Sequence, residues 1–161
     1  MRSHGFSLIE LLIVMAIAGV LLSIATLQFT HYSRKSSIES QVRMLHGDIM
    51  TVRSQAMFTR QPRSVIISSS AYSVYSSSNV SVPPLFKKDF KYSMIWNGSS
   101  GQLNFDSYGL LSNPGLGGRS ICILDGGNPA ALDSIVLSAA RIQLGKRDEG
   151  GACVADDIKT R

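Results

Sequence analysis

A single carboxylate interrupts the most apolar stretch of this chain. Phe6-Ser7-Leu8-Ile9-Glu10 leads into Leu11 to Leu22 without one polar side chain, and the apolar character runs on past Ser23, Thr26 and Gln28 to Phe29. A charge in such surroundings is costly, so Glu10 requires a partner or a task. Cleavage between Gly5 and Phe6 would supply the partner. The new α-amine of Phe6 is a cation in the same apolar surroundings, and in a stack of identical helices one subunit's amine can neutralise a neighbour's Glu10.

Other reactive side chains are sparse. His4, His31 and His46 do not share a spacing that brings ligands together, so no metal is expected there. There is no Gly-x-Ser-x-Gly elbow, and nothing else points to nucleophilic catalysis. Asp125, Asn128 and Asp133 flank a Gly-Pro loop that could offer oxygen ligands to calcium, but too few carboxylates converge and a plain turn is the better reading. Neither an enzyme nor a cofactor is expected.

The elements that position Glu10 follow from the pattern around it. Phe6 to Phe29 is 24 residues, roughly 36 Å as a helix and long enough to cross a bilayer. The run is longer than a signal-peptide core, and Ala16, Ala18, Ser23 and Ala25 offer only ambiguous cleavage positions. Arg2 ahead of it places the leader in the cytoplasm and the rest of the chain on the exported side. Beyond residue 31 the rhythm changes. Ile38, Val42, Leu45, Ile49, Val52 and Ala56 recur at spacings of 4, 3, 4, 3 and 4, a single stripe on an amphipathic helix. With Arg34, Lys35, Arg43, Arg53 and Arg60 off the stripe and no proline before Pro62, the helix is expected to run from Phe6 to about Thr59 and to lay its second half on a sheet rather than in a coiled coil.

Composition agrees with an ordinary folded chain. It has 161 residues, 44% of them apolar and 17% charged, with mean hydropathy +0.12 and a formal charge of +5. Residues 30–63 hold six basic and two acidic side chains, whereas 64–161 hold nine and eight. The excess therefore belongs to the helix, which weakens any reading of the pI as a nucleic-acid footprint on the rest. After Pro62 the pattern turns β-rich. Candidate strands are Val65–Ser69, Tyr72–Tyr75, Val80–Val82, Phe90–Trp96, Gln102–Phe105, Ser120–Leu124, Ser134–Ser138 and Arg141–Leu144. Turns rich in Gly, Pro and Asn separate them. Short strands at this interval predict antiparallel sheets.

Gly5-Phe6-Ser7-Leu8-Ile9-Glu10-Leu11-Leu12 resembles the type IV prepilin signal. That resemblance implies cleavage after Gly5 by prepilin peptidase, N-methylation of Phe6, and Glu10 as the fifth mature residue, used in filament assembly. Val52-Arg53-Ser54-Gln55-Ala56-Met57, Arg60 and Val65-Ile66-Ile67 resemble the helix end and first strand of the GspH/FimT group of minor pilins and type II secretion pseudopilins. Phe105-Asp106-Ser107-Tyr108-Gly109-Leu110, Ile121-Cys122-Ile123-Leu124, Ile135-Val136-Leu137-Ser138, Arg141 and Cys153 then follow in that group's order. The fold implied is α+β, a long N-terminal helix packed on antiparallel sheets. The segments expected are a leader (1–5), a membrane and filament-core helix (6–29), its amphipathic continuation (30–61) and a β-rich head (62–161).

Export favours a disulfide between Cys122 and Cys153, the only cysteines, over a pair of free thiols. Some pilins of this group bind DNA through a late-strand Gly-Arg-x-Arg motif. The matching positions read Ala140-Arg141-Ile142-Gln143, so only Arg141 carries over. Lys146 and Arg147 could add to it, but Asp148 and Glu149 would oppose phosphate. Lys87, Lys88 and Lys91 are likewise interrupted by Asp89. The function expected is a structural minor pilin of a type IV pilus, with a type II secretion pseudopilin and a DNA-binding pilin as alternatives. Its partners would be other pilin subunits, prepilin peptidase and the inner membrane before assembly, and DNA is not favoured.

Overall fold

The computed structural model describes residues 7–98, 100–112 and 118–160. One helix, α1 (Leu8–Thr59), comes first. The strands that follow are β1 (Arg63–Ile67), β2 (Ala71–Tyr75), β3 (Phe86–Asp89), β4 (Met94–Trp96), β5 (Gln102–Phe105), β6 (Arg119–Ile123), β7 (Ser134–Leu137), β8 (Ile142–Arg147) and, past a 3₁₀ turn at Ala155–Asp157, β9 (Ile158–Thr160). The chain divides into two units, Met1–Arg34 and Lys35–Arg161, with the boundary inside α1.

In the first unit every side chain described is exposed, including all those from Leu8 to Ile24. The helix is apolar on all sides and long enough to cross a membrane. Its hydroxyl groups turn back on the backbone. Ser23 Oγ donates to the Gly19 carbonyl (2.8 Å) and Thr26 Oγ1 to the Leu22 carbonyl (3.0 Å), so neither presents an unpaired donor to hydrocarbon.

In the second unit the stripe read from the sequence is the spine of the core. Ile38, Val42, Leu45, Ile49, Val52 and Ala56 are all buried. They pack with Val65, Ile67, Val74 and Phe105 from one sheet and with Met94, Ile121, Ile123, Ile135 and Leu137 from another. The first sheet runs β3-β2-β1-β5 and the second β4-β6-β7-β8-β9, with every pairing antiparallel. β7 is buried at all four positions, because the second sheet is covered on both faces. Ile135 and Leu137 turn to the helix. Ile95, Cys122 and Val136 turn the other way and meet Cys153, Ala155 and Ile158 of the C-terminal tail.

Most expected strands form, with four differences. Val80–Val82 is a turn, as the prolines at 83 and 84 disfavour ladder pairing. Phe90–Trp96 yields only β4, because the backbone N–H groups of Lys91 and Tyr92 donate to Gln41 Oε1 (2.9 Å each) instead of to a neighbouring strand. β3 and β9 are additional. Both are short edge strands, and β3 (Phe-Lys-Lys-Asp) is exposed throughout, so alternation could not mark it. The helix ends at Arg60, which takes the left-handed conformation (φ 52°) usually left to glycine, two residues before Pro62.

Cys122 and Cys153 are joined by a disulfide, with Cα atoms 5.9 Å apart and a sequence separation of 31. The bond staples the tail over the outer face of the second sheet. Replacing both cysteines by serine should lower stability by roughly 3–4 kcal/mol through the freed unfolded chain. Denaturant titration of the detergent-solubilised chain with and without reductant measures this, and a loss below ~1 kcal/mol would mean that the tail's packing alone holds it.

Candidate functional site

Glu10 sits in the first turn of α1, where the Ser7 carbonyl accepts the N–H groups of Glu10 (3.1 Å) and Leu11 (3.2 Å). An anion is favoured at this end of a helix by the aligned peptide dipoles. Glu10 is the only acidic residue among those described in the first unit. Gly5 and Phe6, the expected junction and methylation position, lie outside the described residues.

In the head, polar side chains of α1 pin the loops of both sheets. Gln41 receives Lys91 and Tyr92 at Oε1 and donates through Nε2 to the Tyr92 carbonyl (2.7 Å). Glu39 Oε1 accepts the Ala131 N–H (2.8 Å). Asp48 accepts the hydroxyl of Tyr72 and the ammonium of Lys88 (2.7 Å). Burial, followed by the hydrogen bond and the charge of Asp48, raises the Tyr72 pKa above the usual phenol range, so it remains a donor. Sequence reading missed Glu39, Gln41 and Asp48 because they lie off the apolar stripe and look like a solvated face.

The basic residues weighed for DNA do not form one surface. Arg141 is exposed at the start of the hairpin into β8, whereas Lys146 and Arg147 are at its far end, roughly 20 Å away along the strand. Lys146 and Arg147 are also committed internally. Lys146 Nζ lies 2.7 Å from Asp133 Oδ2 and donates to the Asn128 carbonyl (3.0 Å). The Arg147 N–H donates to Asp133 Oδ1 (2.8 Å), and its buried guanidinium donates to the Ile123 carbonyl (2.8 Å).

Asp133 is fully buried and also accepts from Ser134 Oγ (2.7 Å) and Asn128 Nδ2 (3.0 Å). Burial alone would raise its pKa. The donors from Lys146, the Arg147 backbone, Ser134 and Asn128 outweigh that and hold it below the usual carboxylate range. The loop considered for calcium thus uses an ammonium group where a cation would sit. Asn97, just after β4, is likewise occupied, accepting the Ser120 N–H (2.6 Å) and donating to the Gly118 carbonyl.

Residues 1–26 match the prokaryotic N-terminal methylation motif. Over 56 residues the chain is 41% identical to a probable minor fimbrial protein of Dichelobacter nodosus, a match spanning 35% of each chain and so about a third of that relative's length. The fold is similar to that of the type IV minor pilin FimU of Pseudomonas aeruginosa in two crystal forms. One is 24% identical over 66% of this chain and 90% of FimU, with a TM-score of 0.51; the other is 22% identical over 70% and 91%, with a TM-score of 0.54. The protein is pilin-like in its N-terminal motif and in its fold.

The lowered pKa of Asp133 fixes the sign of a pH effect. Its folded pKa lies below the unfolded value of about 3.9. The stabilisation is therefore full above about pH 4 and is lost as pH falls through the folded pKa. Asp133→Asn should cost roughly 2–4 kcal/mol at pH 7, allowing for the partial exposure of Lys146, and should flatten the acid limb of the stability curve. Thermal unfolding from pH 2 to 8 tests it; parallel curves for variant and parent would show that the ion pair is not the acid-sensitive element.

Proposed function

We propose that this chain is a minor pilin: a structural, non-enzymatic subunit that enters or primes a type IV pilus. One observation carries the reading. The first unit is an apolar helix with every described side chain exposed and a single carboxylate, Glu10, in its opening turn. A helix apolar on all sides needs hydrocarbon or like helices around it, first the inner membrane and then a filament core. The methylation motif at 1–26 supports cleavage after Gly5 by prepilin peptidase and methylation of Phe6, whose amine would then meet Glu10 in the same or a neighbouring subunit. The minor-pilin fold likeness favours the pilus over a type II secretion role.

Intact mass of the protein from isolated filaments should correspond to a chain starting at methylated Phe6, and a mass retaining Met1 would end the processing claim. Glu10→Ala should reduce filament incorporation several-fold while leaving membrane insertion intact or easier, because an intramembrane charge is removed. Equal incorporation of variant and parent would refute the assembly role.

DNA capture is the less favoured reading, since Asp133 holds Lys146, the Arg147 guanidinium is buried against the Ile123 carbonyl, and only Arg141 of the late-strand set is exposed. The detergent-solubilised chain should shift duplex DNA weakly at physiological salt, and Arg141→Ala should change this less than twofold. Tight, salt-resistant binding lost on that substitution would reverse the ranking.

A further inference from the structure

Four arginines gather at one end of the head, without a lysine among them. The Thr59 end is marked by the Asp106–Leu110 loop, where Gly109 lies so close that a β-carbon would stand 2.6 Å from Met57 and 3.2 Å from Arg53. Leu111 N–H donates to Ala139, which brings the Ser138–Arg141 turn to the same end. Arg63 of β1 faces Phe105 there. Arg53, Arg60, Arg63 and Arg141 thus share this end, and none makes an ion pair with a described carboxylate. The one acid present, Asp106, spends Oδ1 on the N–H groups of Tyr108 and Leu110 (2.9 Å each). Around these arginines stand Phe58, 90% exposed, and Tyr108, 77% exposed, with Met57 and Leu110 beside them.

The Lys35 end carries lysines too, with Lys146 and Lys159 held in ion pairs, but it also holds exposed carboxylates outside those pairs. Glu39 meets Ala131 there, and Asp133 meets Arg147, which leads into the Asp148–Asp157 segment. Glu149 and Asp156 are exposed on that segment, and no ion pair involves either among the described residues. Leu124 and Val154 are exposed apolar side chains at the same end. The described ion pairs of the head all involve lysines: Lys88 with Asp48, Lys146 with Asp133 and Lys159 with Asp148. Arg53, Arg60, Arg63 and Arg141 take part in none of them.

We infer that the Thr59 end, with Arg60, Tyr108 and Phe58 at its centre, is a docking surface for the acidic Glu149–Asp156 end of a second copy of this chain. This deepens the filament reading and rests on it. Exposed Tyr, Phe, Met and Arg without Lys or a free carboxylate is the composition of a protein interface centre. A nucleic acid would be served better by a track of many cations. The charge complement is carried by the chain itself. A contact between two different patches is heterologous, and where its rotation does not close into a ring it repeats along a stack.

The test uses the full chain in detergent, followed by sedimentation at low and high salt. The parent should self-associate, at least tenfold more weakly in 0.5 M salt because exposed charges are screened. Arg60→Glu and Glu149→Arg should each weaken association at least tenfold, with unfolding temperatures near that of the parent. Their equimolar mixture should associate like the parent, since each variant then offers the end that complements the other. Tyr108→Ala should weaken association without altering charge. A monomeric parent, association indifferent to both charge reversals, no recovery on mixing, or pairing only with a different subunit would overturn the inference. Filament incorporation of the same proteins in cells is scored alongside. A parent that is incorporated yet shows no head association sinks the inference alone, whereas a parent that is never processed or incorporated sinks the filament reading.

Discussion

One helix has to satisfy two solvents. Over its first unit α1 carries apolar side chains on every side, which only hydrocarbon or another apolar helix can accept. From Ile38 onward it carries them on one stripe, and that stripe is what both sheets pack against. The change occurs without a break in the helix, whose 52 residues run through it. Each remaining property of the head follows from having a single rigid spine with one apolar face. The sheets bury their inner faces on it, and the loops must be held by whatever polar side chains flank the stripe.

Glu39, Gln41 and Asp48 do that holding. Their partners lie on loops or on β2 and β3, so the apolar stripe and its polar margins together fix where the sheets sit. Asp133 plays the corresponding role inside the second sheet's loops. It is a buried charge with one ammonium and three further donors, an arrangement that is costly to break but adds little over a well-packed apolar substitute. Its effect is to settle the position of the loop from Leu124 to Asp133 relative to β8.

The helix, its stripe and six of the strands were legible in the sequence, the stripe from its periodic face and strands such as β6 and β7 as short apolar runs between turns. β3 was not, since Phe86–Asp89 is exposed at all four positions and carries no alternation. Nor was the break after Phe90, where Gln41, about fifty positions earlier, replaces a strand as hydrogen-bond partner. Lys146 and Arg147 read as solvated charges followed by acids. Their real partner, Asp133, lies across the β7–β8 hairpin, and no local pattern announces a pairing made by strand register. Cys122 and Cys153 could be paired from export and from their number. That the bond also closes an apolar cluster on the back of a sheet could not, because that cluster draws on β4, β6, β7 and the tail.

That cluster sets an order of events. Ile95 and Val136 are apolar side chains whose cover, Cys153 and Ile158, belongs to the tail that follows β8. Until that tail is present, the outer face of the second sheet stays wet, and β8 lacks its neighbour at the sheet edge. A head that emerges in chain order therefore cannot close this face before the tail arrives. Completion also requires an oxidising compartment, since the bond that clamps the tail is a disulfide. A head without Cys153 to Ile158, or one kept in a reducing environment, would present an exposed apolar sheet face, so the fold is complete only when the tail is both present and oxidised.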